Sequence, residues 1–152
     1  ISRIIEPELA AAFGRNDLSA VRAIFSKARL GTAILSTGIS IISIVVAPTL
    51  ISIWSHEKIA MNWGLFILLL CGAVIGSYWY TAIQLYYATN RAHQVALPYL
   101  MIYGVLCAVL VAIGAKFYGL IGIALALLVV EILMLIYVSP KVKLIVAADC
   151  QE

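Results

Sequence analysis

Glu131 is the residue whose setting most demands a chemical account, because it is the only charged side chain between residues 117 and 140. Near the middle of a bilayer-crossing helix, an acidic group costs roughly 2.5–3.5 kcal/mol, so it must face protein or water and not lipid. Two chemistries suit such a group. One is a polar transport path or proton-linked relay; the other is a protonated or hydrogen-bonded acid sealed at a helix interface. A second set, Ser77, Thr81 and Gln84, recurs at helical spacing and runs towards Asn90 and Arg91. On one helix these residues share a face, where they would line a hydrophilic cavity or bond to neighbouring helices. Ser77, Thr81, Gln84, Arg91 and Glu131 are therefore the candidate path residues.

Other reactive side chains are scattered. His56 and His93 fall on opposite sides of the expected membrane and cannot share a metal. Cys71, Cys107 and Cys150 are unclustered, with no zinc or disulfide spacing. There is no phosphate loop, nucleophile elbow or carboxylate pair, so the expectation is a protein that is not an enzyme and needs no cofactor.

The elements that must position these residues can be read from composition. Of 152 residues, 64% are hydrophobic and 11% charged, with a mean hydropathy of +1.10. Soluble domains carry about 25% charged residues, and a globule this small could not hide so much apolar surface. Soluble enzymes, disulfide scaffolds, disordered tails and nucleic-acid modules are all disfavoured, and the expectation is an all-α integral membrane bundle. Asp, Glu, Lys and Arg are absent between Arg29 and Glu57, from 59 to 90 and from 92 to 115. A span needs about 20 apolar residues, so the expectation is four transmembrane helices, at about 30–54, 63–88, 95–115 and 118–138.

Lys and Arg set the orientation. Arg3, Arg15, Arg22, Lys27, Arg29, Arg91, Lys141 and Lys143 fall on one side, against Lys58 and Lys116 on the other. The positive-inside bias places both termini and the Arg91 loop in the cytoplasm, leaving 139–152 as a cytoplasmic tail. The net charge of +3 then reports topology and not nucleic-acid binding. Trp54, Trp63, Phe117 and Tyr118 mark the outer interface, and Tyr86, Tyr87 and Tyr137 the inner one. A very short turn near 116–119 makes the last two spans an antiparallel hairpin.

Residues 1–29 differ in kind. Pro7 and the run Gly14-Arg15-Asn16-Asp17 punctuate them, and Asn16 or Asp17 could cap a new helix. Leu18, Val21, Ile24, Phe25 and Ala28 then fall on one arc flanked by Arg22 and Arg29. This pattern suits a cytoplasmic amphipathic helix on the membrane surface, or else an extension of the first span. Residues 1–13 read as the inner end of an earlier span, and the opening Ile1 suggests a fragment or processed chain.

Each span carries small residues that permit close helix approach: Thr32, Ser36 and Ser40; Gly72 and Gly76; Gly104, Ala108 and Ala112; Gly122 and Ala126. At 100° per residue Glu131 lies about 180° from Gly122 and in line with Ala124, so the fourth span should be contacted on two sides.

Pro7-Glu8-Leu9, Gly14-Arg15-Asn16-Asp17-Leu18, the segment from Ala47-Pro48-Thr49 to Trp54, Ala88-Thr89-Asn90-Arg91 and Tyr118-Gly119-Leu120-Ile121-Gly122-Ile123-Ala124-Leu125-Ala126 together carry a likeness. The chain resembles the C-terminal portion of a polysaccharide-biosynthesis flippase, the O-antigen transporter type of the multidrug/oligosaccharidyl-lipid/polysaccharide exporter superfamily. The resemblance implies an inner-membrane transporter of twelve to fourteen spans in two halves, the N-terminal half lying outside this sequence. It implies movement of an undecaprenyl-diphosphate-linked oligosaccharide between leaflets, with membrane lipids as the surroundings and Arg91 as a cation near the diphosphate. A drug or metabolite exporter of the same superfamily and a stand-alone four-span structural subunit are the alternative expectations.

Overall fold

A computed structural model describes residues 2–56, 58, 61–90 and 92–148; Arg91 and Cys150 lie outside them. The order is α1 (Ser2–Gly14), α2 (Leu18–Ser55), α3 (Trp63–Ala88), α4 (His93–Tyr99), a π-helical segment (Leu100–Leu106) and α5 (Cys107–Ala148). No strand occurs among the described residues. Three stretches are long and apolar enough to cross a membrane: Leu18–Ser55, Trp63–Ala88 and His93–Val142.

Local chemistry sets the boundaries. Asn16 takes a positive φ of 57° after α1, a conformation asparagine tolerates better than most residues. Asp17 then caps α2, its carboxylate accepting from the Ala20 amide at 3.0 Å and the Ser19 hydroxyl at 2.7 Å. Asn62 caps α3 in the same way through the Leu65 amide at 3.1 Å. At the far end of α3, Asn90 again adopts positive φ, at 55°.

Residues 18–29 are not a separate surface helix. They run without a break into the first apolar stretch as the 38-residue α2, so the extension describes them and the surface helix does not. The apolar arc is buried at Val21, Phe25 and Ala28, but it is covered by protein and not by lipid headgroups. Leu9 and Ala12 of α1 join the same core.

The third stretch folds back on itself. Gly119 has φ 60° and ψ −138°, a conformation open in practice only to glycine, and it breaks α5 into two arms. A straight helix would set Tyr103 and Glu131, 28 residues apart, about 42 Å from each other. Instead the Tyr103 hydroxyl donates to the Glu131 carboxylate. Beside the turn, a Cβ built on Gly122 would run into the Gly114 carbonyl oxygen, so the two arms meet backbone to backbone.

Helix α3 is the hub and packs on α1, α2, α4 and α5. The core gathers at the end of the bundle formed by Phe25, Trp79, Ile83, Leu85, Tyr86, Val95, Met134 and Val138. Tyr86 is thus 1% exposed and belongs to this core, against the expectation that it sits in the headgroup layer. Its neighbour Tyr87, one residue round the helix, is 52% exposed. Gly104, Ala108 and Ala112, expected to mark a helix contact, are exposed.

Two outcomes test this fold. Gly122→Val should cost about 1–3 kcal/mol by overpacking the arm contact, while Gly31→Ala, with open space around it, should change little; thermal unfolding in detergent measures both. The Asp17 carboxyl is held below its usual range, first by the Ala20 amide and then by the Ser19 hydroxyl. A depressed native pKa means the cap stabilises above the usual carboxylate range and is lost as pH falls through the lowered value. Amide-exchange protection at Ala20 should decline on that acid side and be absent in Asp17→Ala.

Candidate functional site

Glu131 sits on the long arm of α5, on the face turned towards α3. Trp79 Nε1 donates to Oε2 at 2.5 Å, and the Tyr103 hydroxyl donates to Oε1, so each carboxylate oxygen receives one donor. Gly76 makes room for this group: a Cβ there would lie 2.8 Å from Oε2. Gly72, one turn earlier, faces the Glu131 side chain at ordinary contact distance. The glycine pair of α3 is therefore a seat for the acid as well as a packing stripe. The two-sided contact expected of this helix is realised, with Gly122 against Gly114, Ala124 buried on the Glu131 side, and Glu131 against α3.

The donors are placed by their own elements. Trp79 lies on α3 and is 3% exposed. Tyr103 lies on the π-helical segment just after Pro98, where the Cys107 amide bonds back to the Ile102 carbonyl. A π turn takes in an extra residue and resets the rotational phase of the helix beyond it, and such turns concentrate at functional sites. Tyr99 stacks on Tyr103 with ring centroids 5.1 Å apart and planes within 9°. Trp79 touches Tyr80, Tyr99 and Tyr103 at centroid distances of 6.0, 6.2 and 5.7 Å.

These rings wall an open cavity of about 300 Å³ that includes Ala73, Gly76, Ser77 and Glu131. A second cavity of about 420 Å³ shares Tyr80 and Tyr99 and extends to Tyr87, Val95 and Ala96. Together they form a tyrosine-lined groove along α3 and α4 with Glu131 at one end.

The residues of the expected polar stripe are separated. Ser77 lines the Glu131 cavity, though its hydroxyl bonds to the Val74 carbonyl at 2.8 Å. Thr81 faces α2, bonding Thr32 Oγ1 at 3.1 Å. Gln84 is buried in the core. Arg91 lies outside the described residues. Near Thr81, Arg29 donates to the Tyr78 hydroxyl and lies 4.3 Å from its ring centroid, so this cation packs on α3 instead of reaching for headgroups.

Sequence reasoning missed Trp79, Tyr80, Tyr99 and Tyr103. The signal was present: Tyr78-Trp79-Tyr80 is an aromatic run deep inside an apolar stretch, away from the interfaces where such rings normally lie. No group of three His, Cys, Asp or Glu residues lies together among the described residues. No family model matches the chain, and neither a curated protein nor a solved structure is similar to it.

Removing either donor tests the site. Tyr103→Phe and Trp79→Phe should each cost about 1.5–3 kcal/mol, the range for hydrogen bonds to a charged group, and Gly76→Ala should destabilise by displacing the carboxylate. Thermal unfolding of each variant is the check, with the exposed Leu97→Ala as a control expected to differ little.

Proposed function

We propose that this chain is the C-terminal bundle of a bacterial inner-membrane flippase for undecaprenyl-diphosphate-linked oligosaccharide. In this reading His93–Val142 crosses the bilayer twice, with Gly119 at the outer surface. Together with α2 and α3 that makes four spans, with both ends of the chain and the Arg91 loop in the cytoplasm.

The observation that carries the reading is the tyrosine-lined groove ending at Glu131 inside helices apolar enough to be embedded in lipid. An acid and several phenols beside an open cavity suit a substrate with hydroxyl groups, and aromatic faces suit the C–H faces of sugar rings. Binding sites of this kind combine apolar or aromatic walls with a few placed polar groups. The Lys and Arg distribution supports the orientation, and the matched small-residue segments support the family likeness. Phe117 and Tyr118 are strongly exposed beside Gly119, as residues anchoring a turn at a membrane interface would be.

Topology and transport are separately testable. With native cysteines replaced, Tyr118→Cys should react with a membrane-impermeant maleimide from outside intact cells, and Ser139→Cys only after permeabilisation. Labelling of both from the same side would contradict two crossings. In a strain lacking the exporter, the complete protein carrying Glu131→Gln should lose surface polysaccharide far more than it loses accumulation. Equal loss of both properties, or of neither, would remove Glu131 from the path.

A further inference from the structure

The Glu131 end of the groove combines three features that neutral sugars alone do not call for. Among the described residues, the acid is the only charged side chain lining either cavity, and no Lys, Arg or His lines them. Its neighbours are aromatic, with Trp79, Tyr80, Tyr99 and Tyr103 all lining one open cavity of about 300 Å³ and Tyr80 the half-exposed ring among them. Further, both donors to the carboxylate are neutral, so the negative end of the cavity has no ionic partner among the described residues that line it.

We infer that this cavity is a binding site for a small organic cation, a quaternary or alkylated ammonium group seated against the aromatic faces with Glu131 as its counter-charge. A cation within about 6 Å of a ring centroid is attracted by the ring quadrupole. Glu131 has spare lone pairs on both oxygens, so a cation can approach without breaking the bonds from Trp79 and Tyr103. An alkylated ammonium needs no hydrogen-bond acceptor, which suits walls made mostly of ring carbon. A phosphate or other anion is disfavoured by the same acid. The inference goes beyond the flippase reading and does not depend on it.

The test uses the full chain in detergent with Trp54 and Trp63 changed to Phe, so that Trp79 alone reports. Choline should change the Trp79 fluorescence saturably, while its neutral isostere 3,3-dimethylbutan-1-ol should not. Tyr80→Ala, which leaves both bonds to Glu131 in place, should weaken choline binding about tenfold, as should Glu131→Gln. If the Gln variant does not fold, Tyr80→Ala carries the comparison. Equal response to the isostere, no saturable response to choline, or unchanged affinity in folded variants would overturn the site. So would saturable binding of N-acetylglucosamine with none of choline, and that result would leave the flippase reading intact.

Discussion

A carboxylate inside an apolar helix must be met by donors before the helix can pack, and in this chain the requirement falls on Glu131. Both donors come from outside its own helical arm, Trp79 from α3 and Tyr103 from the π-helical segment. The pair of bonds therefore ties together the hub helix, the returning arm of α5 and the segment that precedes its turn. Losing the acid would leave the buried Trp79 indole N–H unmet, which costs more than an ordinary surface bond contributes.

Several backbone features answer that constraint. Gly119 lets the chain reverse, and Gly114 and Gly122 let the two arms meet closely enough that Tyr103 and Glu131 lie at matching heights. Gly76 removes the one Cβ that would occupy the place of the carboxylate. Pro98 and the π turn alter the helical phase where Tyr99 and Tyr103 must face α3. These small-residue positions serve a polar contact as much as apolar packing. That is expected where lipid gives no hydrophobic drive for helices to associate.

Much of the architecture was legible because charge-free runs map directly onto apolar helices, and α3 begins and ends where the runs place it. The need for protection around Glu131 and the turn near 116–119 were legible for the same reason. Other features were not. Whether residues 18–29 leave the membrane or continue the helix depends on Val21 and Phe25 sharing one core with α1 and α3, which no local pattern encodes. Tyr86 and Tyr87 look alike in sequence, yet one residue of helical rotation buries the first and exposes the second. Ser77, Thr81 and Gln84 share a stripe on paper but meet a cavity, a neighbouring helix and the core. The aromatic wall was hidden because its members come from separate elements brought together only by the tertiary fold.

The contact on which the site rests is the bond from Trp79 to Glu131, and its indole N–H is directly observable. In the ¹⁵N-labelled chain, the Trp79 indole proton should resonate apart from those of the exposed Trp54 and Trp63 and exchange far more slowly with solvent. Changing Glu131 to Gln should shift that one resonance and leave the other two in place. A Trp79 indole that exchanges as fast as the exposed pair, or is unmoved by the substitution, would contradict the structure of the site.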